Sequence, residues 1–290
     1  MPTRRCGKSI VKVARVFPRK IALSPRDAGA HYGVPGIFDE ADEVHVSCLF
    51  TWDMRHAEWL AEQWRHVAPV QFGGPGDPQN KAGMLPFVPG MYVRDGVVVT
   101  SRGCPNRCWF CSVWKREHKL CELPVTEGWN IIDDNLLACG EEHIQRVFAM
   151  LKRQENRAAF TGGLEAARLR DWHVELLADL GPDRMFFAYD TPDDREPLYV
   201  ASKMLREGGF TRHHMRCYCL IGGPGDTIEE AENRLRWIYR IGYDPMAMLW
   251  CDEEGKHTVE WKRFARMWAW PALYRGIVKK KKGGTDEDCE

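Results

Sequence analysis

The sequence carries no excess of charge of either sign, no long apolar run and no repeated unit beyond alternation of strand and helix. Lysine and arginine total 41, aspartate and glutamate also 41, and the formal net charge is zero. No global field therefore draws in a polyanion. Nucleic acid is disfavoured as a partner, although Arg102, Arg107, Lys115 and Arg116 make one local basic group. No apolar stretch approaches the roughly 18 residues of a membrane span. The polar start Met1-Pro2-Thr3-Arg4-Arg5 has no apolar run of signal-peptide type. These absences describe a soluble, cytoplasmic chain with no membrane partner. A disulfide framework is missing too, because the 11 cysteines are odd in number and the chain is not small. A reducing compartment suits thiols kept for metal. The 12 tryptophans read as core and pocket residues rather than a base-stacking platform.

What is present is enough apolar material for a core. At 290 residues and 44% hydrophobic, the chain suits one large α/β domain or one domain with a smaller lobe. From about residue 97 the pattern repeats as strand, polar or glycine-rich turn, helix. Strands are predicted at 97–100, 131–132, 158–160, 185–189, 215–221 and 246–250. Between them, Ile144, Val147, Phe148 and Leu151 share one helical face, as do Trp172, Leu176, Leu177 and Leu180, with Gly181-Pro182 as a stop. Thr227 and Glu230 make a capping box before Ile228, Ala231, Leu235 and Ile238, and Gly242 ends that helix. Six such units predict an α/β fold, a partial parallel (β/α)6 TIM-like barrel over 97–275. Cys104, Asp133-Asp134-Asn135, Thr161-Gly162-Gly163, Asp190-Thr191, Gly222-Gly223-Pro224-Gly225 and Cys251-Asp252 each follow a predicted strand. In parallel α/β folds the carboxyl ends of strands build the site.

Residues 1–96 read differently. Strands at 10–16, 44–50 and 70–72, with a helix at 54–64 burying Met54, Ala57, Leu60, Ala61 and Trp64, predict a small Rossmann-like lobe and a turn-rich linker. Residues 276–290, with the run Lys279 to Lys282 and an acidic end, read as a disordered tail.

The densest signal is Ser101-Arg102-Gly103-Cys104-Pro105-Asn106-Arg107-Cys108-Trp109-Phe110-Cys111, a CxxxCxxC spacing. Three thiolates this close hold three irons of a [4Fe–4S] cube and leave the fourth for another ligand. The run resembles the signature of the radical S-adenosylmethionine enzymes, including the aromatic Phe110 before the last cysteine. The resemblance implies that Cys104, Cys108 and Cys111 ligate the cluster, that S-adenosylmethionine chelates the open iron, and that Phe110 approaches its adenine. It further likens Thr161-Gly162-Gly163-Leu164-Glu165 to the motif whose backbone binds the methionyl amino group. Here Leu164 stands between the glycines and Glu165. Asp190 matches a ribose contact, and Gly222 and Gly223 match the segment near the adenine.

Other readings accompany these residues. His118 or Cys121 as a fourth ligand makes a zinc site, with the chain a non-catalytic binding protein, and Cys121 alone makes an electron-transfer cluster. The glycine pairs are tight turns in the plainer reading, and Asp133 and Asp134 are caps. Cys6, Cys48, Cys121, Cys139, Cys251 and Cys289 read as scattered small apolar groups, and Cys217 and Cys219 as one strand face. His213-His214 reads as a loop or strand-start feature rather than a ligand pair. The segment 70–75 is similar to the strand and glycines of a truncated cobalamin-binding lobe. The base-off aspartate–histidine–glycine signature is absent, since Asp27, His31 and Gly33 have other spacings, and cobalamin with radical methyl transfer is an option, not an expectation. The favoured expectation is radical chemistry on a small molecule or peptide, driven by a one-electron reductase such as flavodoxin or ferredoxin. The sequence names no catalytic side chain beyond the cluster loop.

Overall fold

The structure is a computed structural model describing residues 3–6, 9–77, 87–117, 119–251 and 255–280, with side chains described within 11–278. His118, Asp252, Cys289 and the tail from 281, all named above, lie outside the described residues, as does the side chain of Cys6. The chain divides into two compact units, Met1–Asn156 and Arg157–Glu290. The division falls inside the segment 97–275 rather than at 96/97. One tie across residue 96 is Arg116, whose guanidinium donates to the Pro75 carbonyl at 3.0 Å.

In the first unit β1 (Thr3–Cys6) and β2 (Ser9–Val16) form an antiparallel pair, and β3 (Ala30–His31), β4 (Glu43–Ser47) and β5 (Val70–Gly73) add in parallel. The order is β1-β2-β4-β5, with β3 beside β2. The helix α1 (Met54–Trp64) covers one face, burying Ala57, Leu60, Ala61 and Trp64 with Ala14, Val16, Val44 and Val46. The two periods match: every second strand residue meets every third or fourth helix residue. Each fully buried valine or leucine of this set contributes about 1.5–3 kcal/mol. Trp64 Nε1 also donates to the Gly33 carbonyl at 2.9 Å.

Strand alternation sends Arg15 and His45 to the opposite face. Arg15 is fully buried, pairs with Asp27 and donates to the carbonyls of Gly90 at 3.0 Å and Met91 at 2.9 Å. His45 lies 2.8 Å from Tyr92 Oη and 3.1 Å from Glu43 Oε2. The Arg94 N–H donates to the Leu23 carbonyl at 2.9 Å. Residues 90–94, expected as linker, therefore cover the second face of the sheet.

The same unit continues through β6 (Val97–Val98), β7 (Ser101–Arg102), α2 (Val113–Arg116), β8 (Cys121–Glu122), β9 (Asn130–Ile131) and α3 (Glu141–Lys152). β6 runs parallel to β9, and β7 antiparallel to β8. α3 buries Ile144, Val147, Phe148 and Leu151, the face its periodicity predicts, together with His143.

The second unit alternates strictly: β10 (Ala159–Phe160), α4 (Asp171–Leu180), β11 (Arg184–Ala188), α5 (Arg195–Glu207), β12 (Met215–Ile221), α6 (Ile228–Arg240), β13 (Asp244–Leu249), α7 (Val259–Ala269) and α8 (Pro271–Lys280). All its strands are parallel, in the order β10-β11-β12-β13. The architecture is thus α/β with parallel sheets. Among the described strands no pairing beyond β12 closes the sheet at β13. One face of β12 is fully buried through Met215, Cys217, Cys219 and Ile221, while Arg216, Tyr218 and Leu220 on the other are half-buried.

Two expectations shift in this unit. α4 centres its buried face on His173, Val174 and Leu177, leaving Trp172, Leu176 and Leu180 at the border. His173 Nδ1 also turns back to accept from the Arg170 N–H at 3.0 Å, capping the start of the helix. α8 runs to Lys280, past residue 276, where a disordered tail was expected. Tyr274, fully buried and stacked on Trp268 at 5.9 Å, holds it.

Replacing Trp64 by Ala is expected to lower unfolding free energy by about 3–5 kcal/mol. The exposed Trp59→Ala should change it by only about 0.5 kcal/mol. Equilibrium denaturant midpoints compare the two.

Candidate metal centre

The three cysteines lie on a loop that leaves β7 and returns through β8. The neck of this loop is a two-residue ladder, Ser101 opposite Glu122 and Arg102 opposite Cys121. Gly103 takes the first loop position with φ 85°. A Cβ there would overlap the Lys119 carbonyl on the returning strand, so only glycine lets the two arms close. Farther on, Cys108 and Cys111 are drawn together by a turn in which the Cys111 N–H donates to the Cys108 carbonyl at 3.1 Å. Trp114 Nε1 reaches the same carbonyl at 2.9 Å. Arg116 then donates to the Pro75 carbonyl at 3.0 Å, tying the loop to the glycine-rich stretch after β5.

The triplet after β9 clamps the entry of the loop point by point. Asp133, 1% exposed, accepts from Thr100 N and Thr100 Oγ1, each at 2.6 Å, and from Ser101 Oγ at 2.8 Å. Asp134 Oδ2 accepts from Gly103 N at 2.8 Å. Asn135 Nδ2 donates to Cys104 Sγ at 3.3 Å. The capping alternative for these aspartates does not hold, since the short 3-10 turn Leu136–Ala138 begins at Asn135 with no side-chain cap. Burial raises the Asp133 carboxyl above its ordinary range, against the pull of the Thr100 and Ser101 donors.

The sulfurs have the surroundings of ligands. Cys104, Cys108 and Cys111 are half-buried and in no disulfide. Cys111 Sγ accepts from Val113 N at 3.4 Å, so the Cys104 and Cys111 sulfurs each receive an N–H. Such donors tune cluster sulfurs. Burial raises the Cys111 thiol, the Val113 N–H opposes it, and Cys104 and Asp134 raise it further. Deprotonation here therefore calls for a compensating positive charge. Among the described residues no three His, Cys, Asp or Glu side chains converge on one point as a single ion requires. A cube asks for a different spacing, with each thiolate on its own iron. By donor chemistry, three cysteine sulfurs are the ligand type an iron–sulfur cluster takes. Cys121, weighed as a fourth ligand, is exposed and points its thiol at the Glu122 carbonyl, 3.7 Å away. Phe110 is half-buried, edge-on to the exposed Trp109 at 5.5 Å.

Residues considered for a corrin have packing roles. Asp27 holds Arg15, and His31 lies edge-on to Trp64 at 4.7 Å. At Gly74 and Gly76 a Cβ would overlap the backbones of Cys48 and Phe50. Close approach of two chain segments explains these glycines.

The remaining expected residues belong to the second unit. Gly162 is exposed, and Gly163 has φ 110°. Leu164 N donates to the Phe186 carbonyl at 2.7 Å, which hands the chain from the end of β10 to β11. Glu165 is paired with Arg168 at 2.6 Å. Gly222 has φ 73°, and a Cβ on it would press on Trp261 and Leu249. Its N–H donates to Asp226 Oδ2 at 2.8 Å, and the Gly223 carbonyl accepts from Asp226 N at 3.0 Å. Arg234 grips the same carboxylate at 2.8 and 3.0 Å and also donates to the Leu220 carbonyl at 3.1 Å. The sequence marks the Thr227–Glu230 helix start, whereas the Asp226–Arg234 lock beside it joins residues eight apart that no motif links. His214 Nδ1 stays within its own loop, 3.2 Å from Thr211 Oγ1.

Asp190 Oδ1 accepts from Leu220 N at 2.8 Å, linking the end of β11 to β12. Burial pushes its carboxyl from 3.8 up to about 6, opposed by that N–H and reinforced by Asp194. A raised folded-state value means the folded chain keeps a proton the unfolded chain has lost. Stability from this group therefore falls as pH rises from about 3.8 to about 6. Asp190→Asn should be more stable than the parent at pH 7, with the difference vanishing below pH of about 4; thermal melts across pH test this. Asp133→Ala strands buried donors at Thr100 and Ser101 and should cost about 3 kcal/mol in urea unfolding. No protein-family model and no curated protein matches this chain.

Proposed function

We propose that this chain is a radical S-adenosylmethionine enzyme that uses a [4Fe–4S] cluster to cleave S-adenosylmethionine reductively and start radical chemistry on a small molecule or peptide. The observation that carries the reading is the CxxxCxxC run on a loop whose entry is anchored by three consecutive side chains, the last of which donates to a cysteine sulfur. When bound, the cluster supplies the one electron that breaks the C5′–S bond of the sulfonium.

The protein's part is to hold, orient and shield. Cys104, Cys108 and Cys111 would hold the cluster, and Asn135 and Val113 fix the directions of two of the sulfurs. Phe110 is assigned to the adenine. Gly162 and Gly163 are assigned to the methionyl amino group, Asp190 to the ribose, and Gly222 and Gly223 to the adenine surroundings. Glu165, the acid of the same motif, is assigned with the glycines and is paired with Arg168. The electron comes from a one-electron reductase such as flavodoxin or ferredoxin.

Anaerobic reconstitution should give brown protein with iron and sulfide each at about four per chain. With dithionite and S-adenosylmethionine it should release 5′-deoxyadenosine and methionine. A variant with all three loop cysteines changed to alanine should lose both properties. Full sulfide retention in that variant sinks the reading, as does an intact cluster that binds S-adenosylmethionine and never cleaves it. Colourless protein carrying zinc would favour a structural metal site instead.

A further inference from the structure

Cys251 reads from sequence as one of several scattered thiols, and the structure separates it from them. Cys217 and Cys219 are fully buried on β12 and Cys139 lies in the core of the first unit. Burial pushes Cys139 up to about 11 and Cys219 up to about 12. These thiols stay protonated and inert. Cys251 is half-buried and has an imidazole partner: its Sγ lies 3.5 Å from His257 Nδ1. The Leu249 carbonyl lies 3.6 Å from the same sulfur.

The position is fixed by regular structure on both sides. The β12–β13 ladder extends one residue past β13 through the Trp250 N–H, which donates to the Ile221 carbonyl at 2.9 Å, and Cys251 follows directly. His257 immediately precedes Thr258, the N-cap of α7, whose Oγ1 accepts from Trp261 N at 3.3 Å. Trp261 and Leu249 in turn both press on Gly222. The thiol and the imidazole are thus carried to the carboxyl edge of the second unit's sheet by a strand end and a helix start that pack on one residue. A nucleophile with its base in hydrogen-bond reach, on ordered supports at a strand's carboxyl end, is the arrangement by which thiols are activated.

We propose that Cys251 and His257 form a nucleophile–base pair, a nucleophilic site for soft electrophiles, of which low-molecular-weight disulfides are the natural class. The proton passes from Cys251 Sγ to His257 Nδ1. The thiolate attacks one sulfur of the disulfide, a new S–S bond forms to Cys251 as the old one breaks, and the departing thiolate takes the proton from His257. The step needs no external oxidant or reductant. It is independent of what the cysteine loop binds.

The test uses the full chain with limiting iodoacetamide at pH 7, each cysteine being followed by peptide mass spectrometry. The exposed Cys121 is the internal reference. Cys251 should be alkylated on the order of tenfold faster than Cys121 despite its lower exposure, and His257→Gln should remove that advantage while leaving Cys121 unchanged. A Cys251 no faster than Cys121, or one indifferent to His257→Gln, overturns the proposal. If His257→Gln unfolds the chain, which labelling of Cys217 and Cys219 would reveal, the ratio in the unaltered chain decides alone. Glutathione disulfide in place of iodoacetamide should then give a mixed disulfide at Cys251, and its absence removes the disulfide assignment.

Discussion

The cysteine loop depends on one buried carboxylate. Asp133 sits beneath the point where the chain leaves β6, and it gathers the Thr100 amide, the Thr100 hydroxyl and the Ser101 hydroxyl. An unpartnered carboxylate at that depth would be costly, so its three donors and its burial require each other. The ladder between β7 and β8 is only two residues long and would hold the neck of the loop poorly by itself. Asp134 and Asn135 extend the clamp to Gly103 and the Cys104 sulfur. Three adjacent residues on one side thereby position successive points on the other. His143 supports the far side, with its Nε2 3.4 Å from Thr100 Oγ1.

The glycines serve different ends although the sequence presents them alike. Gly74, Gly76 and Gly103 are sites of close approach, where a side chain would overlap neighbouring backbone. Gly222 yields space to Trp261, and its turn is satisfied internally by Asp226 under the hold of Arg234. Gly163 differs: its φ is positive, and a Cβ added there would meet only the Phe186 carbonyl, 4.0 Å away. The glycine motif after β10 is therefore shaped by its turn rather than by crowding, the condition under which a backbone is left open to a partner.

The cysteines divide in a similar way. A shared strand face makes Cys217 and Cys219 look like a pair, yet the face they share is the core, and there a thiol acts as a small apolar group. Cys251 has no neighbour in sequence to announce it, and its histidine follows six residues later. Arg15 follows the same logic. It is a charged residue at an alternate position of an apolar strand, and it reads as a surface group until the carbonyls of Gly90 and Met91 close over it.

The helical periods of α1, α3 and α6, the Thr227–Glu230 box, the stop at Gly181, the span of β12 and the alternation into parallel α/β units were all determined by the sequence alone, because each depends on residues within a few positions of one another. The cysteine spacing belongs with them, since one short run carries the whole donor set. Tertiary structure alone decided what Asp133 and Asn135 do, which face of α4 is buried, where the first unit ends and which thiol meets an imidazole. The reason is physical: a buried polar group must find its partner wherever the fold brings one, and that partner can lie at any distance along the chain.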